Sequence, residues 1–491
     1  MAPRGSLGGM ITLRYAGCLS DRVGPHGLDP ASIAPGSPAA KRAADMTAAL
    51  ERTRGTGWER WRSLPFDPMR REHVTAVNDA VAKCKGRFDT MVVLGIGGSA
   101  LGNIALQSAL NPITYNLLPA EQRGTSGGGP GGSPRMFVVD NVDPAHFGAV
   151  LKFCQQSDPG LKRTLFNVIS KSGETAETAA QFMTIRAMLI AALGKDKHAA
   201  NIVAVTDPAK GTMRQICNDN GYVTMPVPDG VGGRFSVLSP VGLFSAAMCG
   251  IDINGLLDGA AHMDQRCSNP DLHKNPAAML ATLLTRLAAE RGKNIHVMMP
   301  YATGLYLLAD WYRQLWAESL GKRHDKTGKE VFSGYTPVKA LGTTDQHSQV
   351  QLYREGPNDK VFGFVEVKDF GAEDLAIPTG LGVESIKYLE GSKFATLLNA
   401  EKRATEFAFV ESQRPSFTIE MPKVDAHGVG EFIALWEIVT AYCGLILGID
   451  AYDQPAVETG KVATFGLMGR SGYAEWKDKV EKALGGTGHA I

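Results

Sequence analysis

Short apolar runs recur along the chain from about residue 90, and between them lie longer stretches whose apolar positions repeat every three or four residues. Met91–Leu94, Met136–Val139, Leu165–Ile169 and Ile202–Val205 are runs of the kind that a strand covered on both faces requires. Helical patterns separate them, as in Glu174–Leu193. A second series follows: the amphipathic stretch Pro276–Arg291, a strand at Ile295–Met299, a helix over Gly304–Leu320, and strands near Val361–Val367 and Phe417–Met421. This alternation predicts an α/β chain with two domains, each a parallel sheet flanked by helices. The expected division is an N-terminal helical arm over residues 1–70, α/β domains over 71–260 and 275–448, and a C-terminal helical segment over 449–491.

Phe432–Ile449 is mostly apolar over 18 residues and reaches the lower end of a membrane span. Glu437 interrupts it, Asp450 ends it and no second span accompanies it, so a buried core helix is expected. The glycine-rich run Gly124–Ser133 is expected to be a flexible surface insertion.

Length and charge narrow the function. The 491 residues suffice for two large domains, and a formal net charge of +1 leaves no footprint for nucleic acid or an anionic membrane. Any anion must therefore be held by a local site. The seven cysteines are scattered without a C-x-x-C pair, which fits a reducing cytoplasm. The start of the chain has no continuous apolar stretch, so no secretory signal is expected, and Met10 could serve as a start as well as Met1. Spacing among the eleven histidines offers no ligand pair, and neither a metal nor a cofactor is expected.

Candidate chemistry sits where strands give way to helices. Gly95-Ile96-Gly97-Gly98-Ser99-Ala100 follows the first strand, and backbone there can approach a polar ligand. Its match to a dinucleotide fingerprint is weak, because Asp140 lies some 40 residues on where about 20 are usual. Ser170, Lys171, Ser172, Thr175 and Thr178 cluster at a helix N-terminus, a natural place for a phosphate. The bland reading of Ser172 is a helix cap. Gly232-Gly233-Arg234 places a guanidinium beside flexible backbone, although a lone arginine is usually a solvated charge.

The helix Gly304–Leu320 carries Asp310, Gln314 and Glu318 on one face, which by itself reads as a solvated stripe. Its aromatic residues argue for burial on more than one side. Glu318 lies in the last turn, where the negative end of the helix dipole suits a group that must accept a proton. His347 lies in a polar loop, and Gln454 and Lys461 follow the long apolar helix.

In this order these motifs resemble the phosphoglucose isomerases (glucose-6-phosphate isomerases) built from two sugar-isomerase (SIS) domains, over residues 70–465. The most specific stretches are Asp229–Gly242 and Gly448–Lys461, the second departing from the family pattern in having Ala456 where a glycine is usual. The resemblance implies reversible conversion of glucose 6-phosphate to fructose 6-phosphate, a step of glycolysis and gluconeogenesis, in a cytoplasmic homodimer with shared active sites. It implies that Ser170, Ser172, Thr175 and the backbone at Lys171 hold the phosphate with Thr178 nearby, and that Gly98 and Ser99 line the sugar pocket. Glu318 would move the proton, Gln314 would position the sugar oxygens and Arg234 would face the enediolate. His347, from the neighbouring subunit, and Lys461 would open the ring, and Gln454 would help at the phosphate end. Two alternatives keep much of this pattern: a dual-specificity relative that also takes mannose 6-phosphate, and a non-catalytic SIS-domain regulator that binds sugar phosphates.

Overall fold

The computed structural model describes residues 9–123 and 132–485. Most of the glycine-rich insertion lies outside the described residues. Twelve strands are present among those described: β1 Thr12–Arg14, β2 Thr90–Leu94, β3 Arg135–Val139, β4 Thr164–Ile169, β5 Ile202–Thr206, β6 Val223–Pro226, β7 Ile295–Pro300, β8 Lys322–His324, β9 Glu330–Ser333, β10 Thr336–Lys339, β11 Lys360–Asp369 and β12 Ser416–Lys423.

They form two five-stranded sheets and a small hairpin. The first sheet has the order β3-β2-β4-β5-β6 with every pair parallel. The second has the order β1-β12-β11-β7-β10, parallel except for the antiparallel edge strand β1. Strands β8 and β9 pair with each other. β2, β4 and β5 are buried along their whole length, so their uninterrupted apolar sequences follow from helices covering both faces.

The sequence pattern locates seven of these strands to within a residue or two. It misses β1, which lies inside the stretch read as a helical arm: Thr12 to Arg14 pair with Glu420 to Thr418 at the edge of the second sheet. Glu431 accepts a hydrogen bond from the Ile11 amide at 2.9 Å, and Arg266 donates to the Ile11 carbonyl at 2.8 Å, which pins that strand from both sides.

The long apolar helix runs Ala426–Leu447 and, among the described residues, is the one helix long and apolar enough to cross a membrane. Its most apolar window is 89% buried inside the protein, packed on the helices Ile253–Cys267 and Pro276–Arg291. Burial pushes Glu437 well above the usual carboxylate range. Tyr312 and Trp316 meet Trp436 edge-on, with ring centroids 4.5 and 5.7 Å apart. The helix Tyr306–Leu320 is thereby anchored along its aromatic face, leaving its polar face for chemistry.

Candidate active site

In each sheet the chain reverses the direction in which strands are added, and ligands of such sheets bind where the carboxyl ends flank that reversal. In the first sheet β2 lies between β3 and β4; the loops that leave β2 and β4 are Gly95–Ser99 and Ser170–Thr175. In the second sheet the chain leaving β7 turns through Thr303–Leu305 into the helix Tyr306–Leu320. Topology thus sets the loops that leave β2 and β4 at the carboxyl ends of neighbouring strands.

Two glycines set the approach. Gly97 has φ +57°, and a Cβ on it would lie 2.9 Å from Nε2 of Gln314. A Cβ on Gly98 would lie 2.2 Å from the carbonyl carbon and oxygen of Gly233 and 2.7 Å from the Arg234 amide. The β2 loop therefore rests directly on the backbone that presents Arg234, a contact only glycine allows.

Arg234 is not the solvated charge that composition alone suggests. Its side chain is 3% exposed. Nε donates to Oγ of Ser319 at 2.7 Å, Nη1 to Oε1 of Gln454 at 2.8 Å, and Nη2 to the carbonyls of Ala451 and Asp453 at 2.7 and 3.1 Å. Nη1 also lies 3.4 Å from Oε2 of Glu318. Burial pulls this guanidinium below its ordinary value, and the carboxylates of Glu318, Asp453 and Asp450 oppose that pull.

Glu318 keeps about a third of its side chain exposed, so it faces the open side of the site. One turn earlier, Oε1 of Gln314 is buried without a hydrogen-bond partner. A buried amide oxygen in that state is a ready acceptor for a hydroxyl. Asp310 is tied up by Arg313 at 2.7 Å and Lys339 at 3.2 Å, which removes it from the chemistry of its stripe.

At the other end, Oγ of Ser170 accepts the Gly173 amide at 3.0 Å and Oγ of Ser172 accepts the Glu174 amide at 3.1 Å. Ser172 thus shapes the loop and does not cap the helix Ala176–Leu193. Thr175 holds the cap position without a side-chain cap bond, leaving the positive end of that helix open. Thr178 is buried one turn in, and Lys171 stands 3.9 Å from Asp229 and over the Trp58 ring at 5.4 Å.

Two predicted residues are exposed within the single chain, and a third is held by Arg234. His347 is exposed, and its ring makes no hydrogen bond to Glu318, Arg234 or Gln454. Lys461 is exposed on the helix Glu458–Leu467, paired with Glu458 at 2.7 Å. Gln454, expected at the phosphate end, has its amide oxygen on Arg234. Pattern reading also passed over Ser319 and Lys322. Ser319 falls on the apolar face of its helix, where a lone hydroxyl carries no signal. Lys322 follows the helix end directly, and a lysine there is a recognised partner for the last carbonyls.

A separate cavity of about 570 Å³ lies between the helices Pro38–Thr53 and Pro276–Arg291 and contains none of these residues.

The sequence pattern of the family described as phosphoglucose isomerase matches residues 71–469. The chain is 44% identical to a glucose-6-phosphate isomerase of Carboxydothermus hydrogenoformans, over 85% of this chain and 87% of that one. It is 43% identical to a glucose-6-phosphate isomerase of Rubrobacter xylanophilus, over 83% and 89%. Among solved structures, a hypothetical protein of Thermus thermophilus superposes with a TM-score of 0.79 at 34% identity, covering 94% of this chain and all of that one. A glucose-6-phosphate isomerase of Chlamydia trachomatis has the same fold, with a TM-score of 0.70 at 24% identity over 90% of this chain and 81% of that one.

Proposed function

The chain belongs to the phosphoglucose isomerase family, and on that premise we propose that it interconverts glucose 6-phosphate and fructose 6-phosphate, with Glu318 carrying one proton between C2 and C1. It is an aldose–ketose isomerase of glycolysis and gluconeogenesis. The observation that carries the assignment of roles is the placing of Arg234 Nη1 at 3.4 Å from Glu318 Oε2, with the unpartnered Gln314 oxygen one turn away.

The chemistry needs a base beside a positive charge. Removing a proton next to a carbonyl leaves negative charge on the neighbouring oxygen, and the buried guanidinium beside Glu318 is the group that would meet it. Positioned proton transfer contributes on the order of 10²–10⁴-fold, and the rest must come from orientation and from charge stabilisation. The distance of 3.4 Å is long for a charge-assisted hydrogen bond, so Glu318 is drawn toward Arg234 without being locked to it. Gln314 accepts a sugar hydroxyl. Ser170, Ser172, Thr175 and the open helix end hold the phosphate away from the reacting carbons, with the Lys171 backbone and Thr178 beside them; Gly98 and Ser99 border the sugar.

Ring opening falls to His347 and Lys461. The exposure of His347 fits a role in the neighbouring subunit of a homodimer. Leu375, Leu381, Val383, Ile386, Tyr388 and Phe394 are exposed within one short stretch, and an apolar surface of that kind supports a subunit contact. All seven cysteines are buried free thiols, in keeping with a reducing cytoplasm.

Turnover of fructose 6-phosphate, with glucose and mannose products detected separately, tests this reading. Glucose 6-phosphate alone is the expected product. Equal formation of mannose 6-phosphate would make the protein dual-specific, and tight sugar-phosphate binding without turnover would make it a regulator.

A further inference from the structure

Lys322 lies outside every role assigned so far. It is the first residue of β8, directly beyond the helix that carries Glu318, and its side chain is only 5% exposed. An ammonium buried to that degree must have its N–H groups satisfied. Nζ donates to the carbonyl of Glu318 at 2.6 Å and to the carbonyl of Asp453 at 2.9 Å, and it stands 3.5 Å from Oδ1 of Asp453.

These acceptors are telling. The Glu318 carbonyl is among those that a helix end leaves without an intrahelical partner, so a lysine just past the terminus is a sensible cap. A cap alone needs nothing more. Here the same ammonium reaches 131 residues along the chain to Asp453, whose carbonyl also accepts from Arg234 at 3.1 Å. Asp453 directly precedes Gln454, whose side chain Arg234 holds at 2.8 Å. The two buried cations therefore meet on one carbonyl, Arg234 gripping the reacting side and Lys322 the backbone side. Burial, and after it the charge of Arg234, pulls the Lys322 ammonium below its ordinary value. The Asp453 and Asp450 carboxylates counter that pull.

We propose that Lys322 is a positioning residue of the isomerase: it ties the last turn of the Glu318 helix to the Ala451–Gln454 loop and so fixes the base relative to Arg234 and Gln454. The proposal rests on Glu318 being the base. Lys322 touches no reacting atom in this account; it acts through the backbone of the residues that do. A displacement of about 1 Å at the base is enough to cost on the order of 100-fold in rate, which is why a backbone tie can matter to chemistry.

The test is Lys322→Met in the full chain, with three readouts taken against the wild type. The expected result is a kcat lowered tenfold or more with KM within threefold. Binding of 6-phosphogluconate, a sugar acid phosphate that cannot isomerise, should stay within threefold. The kinetic isotope effect with deuterium at C2 of the substrate should rise, because proton transfer becomes more fully rate-limiting. A merely structural lysine would move kcat, KM and 6-phosphogluconate binding together and leave the isotope effect where it was. That pattern, or a kcat within twofold of wild type, overturns the proposal. If Lys322→Met does not fold, Lys322→Gln, which keeps N–H donors without the charge, carries the same comparison; failure of both to fold makes the residue structural and overturns the proposal as well. No turnover of fructose 6-phosphate by the wild type overturns the isomerase reading and this inference with it. Turnover by the wild type with an unaffected variant overturns this inference alone.

Discussion

Ser319 accepts the Nε–H of Arg234 at 2.7 Å, so the residue directly after Glu318 fixes the guanidinium that Glu318 itself only approaches at 3.4 Å. The arrangement separates two demands. Arg234 is held by its neighbours Ser319, Gln454, Ala451 and Asp453, and the carboxylate stays available to a substrate proton.

Replacement of Arg234 by lysine is expected to fail. Lysine offers three donors on a point charge, and the four acceptors around Arg234 demand a planar fork. Arg234→Lys should lower kcat by about 10²–10³, the range for loss of one oxyanion-stabilising group. Steady-state kinetics alongside a thermal melt check this. More than half of wild-type kcat in a folded variant would remove Arg234 from the electrophilic role.

Gly98→Ala and Gly148→Ala make a paired test of backbone contact. At Gly98 an added Cβ would meet Gly233 backbone at 2.2 Å, whereas at Gly148, inside the helix Pro144–Ser157, nothing lies within 4 Å. Gly98→Ala should lower kcat/KM at least tenfold by pushing the β2 loop off Arg234. Gly148→Ala should leave activity unchanged and stabilise the protein by roughly 0.5–1 kcal/mol. Equal behaviour of the two variants in kinetics and melting would contradict the claimed contact.

Phosphate recognition should be local. With a net charge of +1, little affinity comes from the protein's overall field, and the loop Ser170–Thr178 must supply it through hydroxyls and helix N–H groups. Ser172→Ala with Thr175→Ala should weaken substrate and inorganic phosphate in parallel, by about tenfold or more for two charge-assisted hydrogen bonds. An unchanged phosphate inhibition constant would place the phosphate elsewhere.

Most of the fold was legible because the buried strands are written as apolar runs. Two of the strands that escaped take their order from a partner. Thr336–Lys339 reads Thr-Pro-Val-Lys, half-exposed at a sheet edge, and is a strand because Ile295–Met298 lies beside it. Thr12–Arg14 is three residues long and acquires its register from Thr418–Glu420. The site divides the same way. Glu318, Gln314 and the Ser170–Thr178 cluster are suggested by residue type and place on an element, although the stripe of Glu318 and Gln314 by itself reads as solvated. Arg234, Gln454 and Lys322 meet only in three dimensions, through carbonyls that no sequence pattern marks.

Shared sites can be tested by mixing. If His347 completes the partner's pocket, His347→Ala and Glu318→Gln homodimers should each be nearly inactive. Refolding the two variants together in equal amounts gives about half mixed dimers, each with one intact site, so roughly a quarter of wild-type activity should return. No recovery, with mixed dimers confirmed by mass, would place His347 in its own chain's site.

The role of Glu318 is the centre of the account, and Glu318→Gln tests it most directly, because an amide cannot accept the C2 proton while keeping nearly the same shape. The measurement is kcat together with exchange of the C2 hydrogen of glucose 6-phosphate with tritiated water. Both should fall equally, by about 10²-fold or more, with 6-phosphogluconate binding preserved. Retention of more than roughly a tenth of wild-type kcat, less than the smallest contribution expected of a positioned base, would contradict the account and move the base elsewhere.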